Sequence, residues 1–248
     1  AQTQDLERRI TVSGNDEVAR LSTSFNTMLT ALSKSMNRQR QLVQDASHEL
    51  RTPLTSLRAN SELLERASVS DTDRAAILSD MRAEIDELTA LSTELSALAI
   101  DQKAAESPID TDLAVIADEI ATRAARRGGT AVSVHVTDDV MVQARPHQLE
   151  RAISNLVDNA IKFSGGSSEV EIHVGAKRVE VRDHGPGISD EDKPHVFDRF
   201  YRATATRSMP GSGLGLSIVS QFAEDHNASA YVLDNVGGGA IVGIQFTA

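Results

Sequence analysis

The side chains best equipped for chemistry sit in five short strings, and the first surrounds a histidine. In Ser47-His48-Glu49-Leu50-Arg51-Thr52-Pro53-Leu54, an exposed neutral imidazole would be a competent nucleophile near neutral pH, and an adjacent carboxylate can orient it and take up its proton. Glu49 is placed for that task. Thr52, four residues after His48, shares its helical face. Pro53 has no N–H, so the carbonyl of Glu49 loses its helical partner and a kink just below the histidine is expected. Without further context the plain reading of such a histidine is a solvated surface residue.

The second string is Asn155-Leu156-Val157-Asp158-Asn159-Ala160-Ile161-Lys162-Phe163-Ser164. On a helix Asn155 and Asn159 stack four apart, and Lys162 follows one turn along. Amide oxygens are hard ligands suited to Mg²⁺, and the lysine supplies charge for phosphates; a merely polar helix face is the competing reading. Asp183-His184-Gly185-Pro186-Gly187-Ile188 follows a strand and could equally be a Pro/Gly turn. Gly211-Ser212-Gly213-Leu214-Gly215-Leu216 leads into an apolar helix over 216–222, where backbone N–H groups and a helix N-terminus suit phosphate. That box is weak by itself. It is not a dinucleotide fingerprint, because its third glycine comes too early, and no Gly-Lys-Ser/Thr marks a P-loop. Between the glycine strings lies Phe197-Asp198-Arg199-Phe200-Tyr201-Arg202, whose aromatics read as packing residues and whose arginines could serve phosphate or a surface ion pair.

These strings need elements to hold them. Leu29, Leu32, Met36, Val43, Ala46, Leu50 and Leu57 follow steps of three and four, with Gln39 and Pro53 in the same register, which predicts one long helix with a heptad seam. His48 then falls midway between Ala46 and Leu50, pointing outward. After a polar break at 68–73, Leu78, Met81, Ile85, Leu88, Leu95 and Ala99 repeat the pattern. Two such helices form an antiparallel hairpin that cannot bury its stripe alone, so a homodimeric four-helix bundle is expected. The second half differs: residues 132–136, 170–174, 179–181 and 240–246 alternate like strands, and 148–163 has helical period. Without regular βαβ alternation this favours a layered α/β sandwich. Composition changes near 100–110, since Gly14 is the only glycine before it. The expected division is therefore 1–35, a helical hairpin over 36–102, a polar linker over 103–110, and the α/β domain over 111–248.

Composition agrees with more than one folded unit in 248 residues. Apolar residues make up 40% and aromatics only 3%, so the core must be Leu, Ile, Val and Ala. The net charge of −11 repels a phosphate backbone, and nucleic acid is excluded as an expected partner. With no cysteine there are no disulfides or thiolate metal sites. The other histidines are scattered without a His-x-x-x-His pair, which argues against a catalytic transition-metal site. Apolar runs such as 113–117 are far shorter than the roughly 20 residues that cross a bilayer, so these residues are expected to be soluble, although the opening segment reads as the middle of something longer.

The histidine string matches the H box of histidine kinases, and H box, N box, first glycine box, F box and second glycine box follow one another from Asp45 to Leu216. The chain thus resembles the cytoplasmic portion of a bacterial two-component sensor histidine kinase, with a HisKA-type dimerisation and phosphoacceptor hairpin and a GHKL-type ATP-binding catalytic domain. Residues 1–35 resemble the second half of a HAMP linker, through Asp16-Glu17 and Phe25-Asn26-Thr27-Met28, although Ala19 replaces the usual glycine and a plain amphipathic helix would look similar.

The resemblance implies that His48 accepts phosphate, Glu49 is its base and Thr52 takes part in phosphatase activity. It makes Asn155 and Asn159 Mg²⁺ ligands, Asn159 foremost, with Lys162 on phosphates and Phe163 against the nucleotide. Asp183 would accept the adenine amino proton while Gly185 and Gly187 let backbone approach the base. Gly211, Gly213 and Gly215 would cradle phosphates, 201–212 would form a mobile lid, and Arg199 would clamp the γ-phosphate. Arg145 departs from the acidic residue that relatives often carry before the N box. The implied cofactors are ATP and Mg²⁺. The implied partners are a second copy of the chain and a response regulator receiver domain docking around His48, with membrane contact only through segments outside these residues, on the cytoplasmic side. Two alternatives stay open: a GHKL-type ATPase or chaperone, and a nucleotide-binding module acting mainly as a phosphatase.

Overall fold

A computed structural model describes residues 17–65, 69–101, 106–127, 130–138, 140–165, 169–203, 209 and 211–247. The opening of the HAMP-like segment and residues 102–105 of the expected linker lie outside them. The chain divides into two units, Ala1–Met81 and Arg82–Ala248.

The first unit is dominated by α1, Glu17–Leu64, one helix of 48 residues that runs through Pro53. No Gly or further Pro interrupts 33–41, so the expected boundary at residue 35 falls inside continuous helix. Of the predicted seam, Ala46 and Pro53 are buried and Leu29, Met36, Leu50 and Leu57 half-buried, whereas Leu32 and Val43 are exposed. The second helix, α2 (Asp71–Asp101), begins on a capping arrangement: Ser70 Oγ accepts the Asp73 N–H at 3.1 Å and donates to Asp73 Oδ2 at 2.7 Å. Asp71 and Asp73 also place negative charge on the positive end of the helix dipole. Among the α2 residues whose side chains are described, Ile77, Met81, Glu84, Leu88, Ala90, Leu91 and Leu95 are shielded within a single chain, with Leu91 the most buried. Leu78 and Ile85 of the expected seam are 40% and 50% exposed in the lone chain, and Ala99 lies outside the described side chains.

The second unit takes in α2 from Arg82 onward and then β1 (Ile109–Asp112), α3 (Leu113–Arg127), β2 (Val132–Val136) and β3 (Met141–Ala144). It continues with α4 (Pro146–Phe163), β4 (Val170–Gly175), β5 (Arg178–Arg182), α5 (Gly215–Asp225), β6 (Ala228–Asp234) and β7 (Ala240–Phe246). A five-stranded sheet has the order β2-β4-β5-β7-β6, and β1 pairs with β3 as a separate ribbon. The β2–β4 pair is parallel and the others are antiparallel. The layered α/β sandwich is as expected, but Ile109 and Asp110 belong to β1, paired with Ala144 and Gln143, so the domain starts inside the predicted linker.

Apolar residues of one sheet face, including Ile172, Val174, Val179, Val181 and Ile244, join Leu113, Ile116, Leu149, Ile153, Leu156 and Phe222 of the helices in one core. Fully burying each large side chain contributes roughly 1.5–3 kcal/mol. Local chemistry sets the helix ends. Asp112 Oδ1 accepts the Ala114 N–H at 2.8 Å to start α3, whose last turn carries Arg126 and Arg127. Pro146 occupies the first turn of α4, where its missing N–H costs nothing.

His226, at the end of α5, joins these elements. Its Nδ1 lies 2.8 Å from the Phe222 carbonyl, its Nε2 accepts the Arg145 N–H at 3.2 Å, and its ring stacks on Phe222 at 4.1 Å. A ring that donates from Nδ1 and accepts at Nε2 is neutral. Burial, then the Arg145 charge, holds its pKa below the ordinary 6.5. Below pH 6.5 the unfolded chain therefore binds a proton that the folded chain resists, and stability falls as pH drops through that value. Urea unfolding at about pH 7.5 and about pH 5.5 should show a smaller pH-dependent loss for His226→Gln than for the parent; equal losses would remove His226 as the cause.

Candidate functional site

In the first unit, His48, Glu49 and Thr52 are all exposed on α1, between buried Ala46 and buried Pro53. The outward placement expected from the heptad is met. Ser47 keeps its hydroxyl within the helix, donating to the Val43 carbonyl at 2.7 Å.

In the second unit, the last half of α4 is the platform. Its apolar face, Leu149, Ala152, Ile153, Leu156, Val157 and Ala160, is buried, which turns the half-buried Asn155, Asn159 and Lys162 to the other side. Asn155 donates from Nδ2 to the Arg151 carbonyl at 2.9 Å. A Cβ added at Gly215 would lie 3.2 Å from its Oδ1. Lys162 Nζ lies 4.6 Å from the Phe163 ring centroid, a cation–π contact, and 2.7 Å from where a Gly211 Cβ would stand. The Phe163 carbonyl is 2.5 Å from the place of a Gly185 Cβ. Glycines of both boxes thus press against the residues singled out on α4. Asn155 and Asn159 offer the hard amide oxygens that Mg²⁺ takes, so the donor set fits that ion.

Asp183 is buried at the end of β5. Its Oδ1 accepts the Gly185 N–H at 2.9 Å and the Ala240 N–H at 3.1 Å. Among the described residues Oδ2 has no hydrogen-bond partner, which leaves it for a donor on a ligand. Asn235 Nδ2 donates to the Asp183 carbonyl at 2.8 Å, and a side chain at Gly239 would overlap that same carbonyl. Gly187, at φ +75°, faces the Gly239 carbonyl. The turn from Asn235 to Ala240 therefore helps build the site. Its signal was the run Gly237-Gly238-Gly239, which sequence reasoning passed over.

The F-box residues brace the second glycine box. The Phe200 N–H donates to the Gly213 carbonyl at 3.0 Å, and Phe197 packs on the core. Tyr201 donates to Asp192 Oδ1 at 2.6 Å and Arg202 to the Met209 carbonyl at 2.6 Å. Arg199 is half-buried and has no hydrogen bond or ion pair among the described residues, so the competing ion-pair reading is not met there. The α5 helix starts at Gly215 without a side-chain cap, which leaves its first N–H groups for an anion. Residues 204–208 and 210 of the expected lid lie outside the described residues. Arg145 has a structural place, donating from Nε to the Glu106 carbonyl at 2.9 Å.

Gly213 has φ +75°, and a Cβ there would lie 2.7 Å from the backbone of Phe200. Gly211 also has a positive φ, +143°, but there the neighbour is the flexible end of Lys162 rather than backbone. Gly213→Ala should therefore cost about 2 kcal/mol or more and Gly211→Ala about 1 kcal/mol, read from paired denaturant titrations; equal losses would contradict the backbone clash.

Comparison with known proteins agrees with this geometry. Family models match residues 1–34 (HAMP domain), 38–102 (His Kinase A (phospho-acceptor) domain) and 144–248 (Histidine kinase-, DNA gyrase B-, and HSP90-like ATPase). The "Signal transduction histidine-protein kinase/phosphatase MprB" of Mycolicibacterium smegmatis is 42% identical over 253 residues, covering 96% of this chain and 51% of that protein. The protein of the same description from Mycobacterium avium is 40% identical over 260 residues, covering 99% of this chain and 49% of that one. The chain spans about half the length of the curated relatives it matches. Among solved structures, Acinetobacter baumannii histidine kinase AdeS is 21% identical, covers 81% of this chain and 97% of that one, and has a TM-score of 0.50, a likeness of fold. With the three family models in the order that its motifs set out, the chain belongs to the sensor histidine kinases.

Proposed function

We propose that the chain phosphorylates itself on His48 at the expense of ATP and passes the phosphoryl group to an aspartate of a response regulator receiver domain. The observation that carries this reading is the close approach of Gly185, Gly211 and Gly215 to Phe163, Lys162 and Asn155, a cradle of backbone and amide groups suited to a nucleotide and its phosphates. An imidazole nitrogen of His48 bonds to the γ-phosphorus, the bond from that phosphorus to the bridging oxygen of ADP breaks, and the imidazole proton passes to Glu49. Lys162 and Arg199, which has no ion pair among the described residues, neutralise phosphate charge, while Asp183 Oδ2 accepts the adenine amino proton. Mg²⁺ accompanying the nucleotide supplies further neutralisation, and Asn159 and Asn155 would hold it.

Residues 1–35 serve as a partial HAMP linker, 36–102 as the dimerisation and phosphotransfer hairpin, and the catalytic domain runs to residue 248 from β1, whose Ile109 and Asp110 take up the end of the expected 103–110 connection. Exposed apolar residues of the first unit, among them Val18, Leu21, Phe25, Val43 and Leu54, support a homodimer, because a lone chain leaves them in water. The whole protein is placed at the cytoplasmic side of a bacterial membrane, although among the described residues no helix is long and apolar enough to cross one. A phosphatase activity through Thr52 is a second reading, supported by its exposure and by the kinase/phosphatase description of the relatives.

Incubation with γ-labelled ATP and Mg²⁺ should give alkali-stable, acid-labile label on the protein. His48→Gln should abolish it, and Asn159→Ala should lower its rate about a hundredfold with the fold intact. Label persisting without His48 would overturn the phosphoacceptor assignment, and phosphate release without labelled protein would favour a plain ATPase.

A further inference from the structure

The outer face of the sheet carries a second cluster. On β4, Glu171 and His173 alternate with buried Val170, Ile172 and Val174, so they project away from the core. The parallel pairing of β2 with β4 sets His135 opposite His173, and the two rings stack at 4.7 Å. His173 Nε2 lies 2.7 Å and His135 Nε2 3.9 Å from Glu171 Oε2. One ligand atom from each of the three falls within 4.8 Å of the others. From the opposite side, His184 Nε2 lies 3.5 Å from Glu171 Oε1.

We propose that His135, Glu171 and His173 form a binding site for a divalent transition-metal ion of the Zn²⁺ class, with His184 positioning the Glu171 carboxylate. Two imidazoles and one carboxylate are a ligand set that Zn²⁺ takes, with a fourth position left to water. Bonds of about 2.0–2.2 Å require ligand atoms roughly 3.3–3.5 Å apart in a tetrahedral site, so small side-chain rotations suffice. A bond from a second group to the far oxygen of a ligating carboxylate is a usual means of fixing its direction. Of the neighbouring charges, Arg182 stands opposite Glu171 in the register but is bonded to Glu180 at 3.0 Å. Glu180, opposite His173 in the register, is already bonded by Tyr231 at 2.7 Å and by Arg182 at 3.0 Å, so Glu171 is the carboxylate available to a cation. Imidazole ligands select against Mg²⁺, which prefers oxygen; the site is therefore distinct in chemistry from the paired asparagines. His184 directly follows Asp183, which ties the cluster to the first glycine box.

The site was invisible to spacing along the chain because its two histidine ligands come from separate strands brought together by parallel pairing. The test uses the tag-free chain, stripped with a chelator and titrated with Zn²⁺ by calorimetry in the presence of excess Mg²⁺ and without nucleotide, so its result stands apart from phosphotransfer. One ion should bind per chain, and Co²⁺ substituted for Zn²⁺ should give the visible absorption of a low-coordinate site. His135→Ala, at an exposed position of the edge strand, and Glu171→Gln should each weaken binding about a hundredfold, and His184→Ala about tenfold, with unchanged circular dichroism. Absence of binding at concentrations of about 100 μM, or binding of unaltered affinity in His135→Ala or Glu171→Gln, would overturn the proposal.

Discussion

The candidate nucleotide site depends on one steric constraint, the approach of glycine backbone to the final turns of α4. The Phe163 carbonyl stands where a side chain at residue 185 would be, and Lys162 and Asn155 stand close to the places of side chains at 211 and 215. Two loops far apart in sequence thereby meet a single helix. That meeting requires α4 to be fixed in rotation as well as in place. Its buried face provides this, because turning the helix would carry Leu149, Ile153 and Leu156 out of the core at a cost of several kcal/mol. The amides and the lysine are thus aimed by apolar residues on the opposite side of the same helix.

Asp183 shows how the same backbone supplies electrostatics. A buried carboxylate is costly unless it accepts hydrogen bonds, and its Oδ1 receives two, from Gly185 and Ala240. One of these belongs to the glycine box itself and the other to β7, so the carboxylate pins the box to the sheet while retaining an oxygen for a ligand. Asn235 and Gly239 then complete the support from the β6–β7 turn. The catalytic histidine of the proposed reaction has the opposite environment. His48 is solvent-exposed, as a group must be if a nucleotide-bearing domain and a separate protein are to reach it in turn.

Much of this was legible in the sequence, and the exceptions have physical causes. Long amphipathic helices announce themselves by period, so α1, α2 and α4 were found, as was the outward direction of His48. On α2 the stripe shielded within one chain differs from the expected dimer seam at Leu78 and Ile85, because these fit a heptad as well as Ile77 and Leu91 do. Strands β1, β3 and β6 were not singled out. The first two are only four residues long, and β6, with Ser229, Tyr231 and Leu233 alternating irregularly in burial, lacks the clean pattern of a half-buried strand. Motifs located the aspartate and glycines, but not Asn235 and Gly239, whose contribution is made across the sheet. The role of Arg145 was hidden for the same reason, since its partners Glu106 and His226 are distant along the chain.

Cross-strand geometry also explains why one sheet has two kinds of outer surface. At its centre, Glu180 is buried beneath Tyr231, Arg178 and Arg182. Burial pushes its pKa up, but the bonds from Tyr231 and Arg182 outweigh that effect and hold it below the usual carboxylate value. Burial and the same glutamate raise the pKa of Tyr231, which keeps the phenol protonated as a donor. Gly243 makes room for this arrangement, because a Cβ there would come within 2.7 Å of the Tyr231 ring and hydroxyl. The central face is therefore closed by groups that satisfy one another. Toward β2 the last arginine, Arg182, stands opposite Glu171 in the register but bonds Glu180, and Glu171 meets imidazoles instead of guanidiniums. An arginine keeps its charge and cannot ligate a metal, whereas a neutral imidazole has a lone pair to offer. The change from arginine to histidine partners, made within neighbouring strands, is what turns a sealed ionic surface into one able to hold a cation.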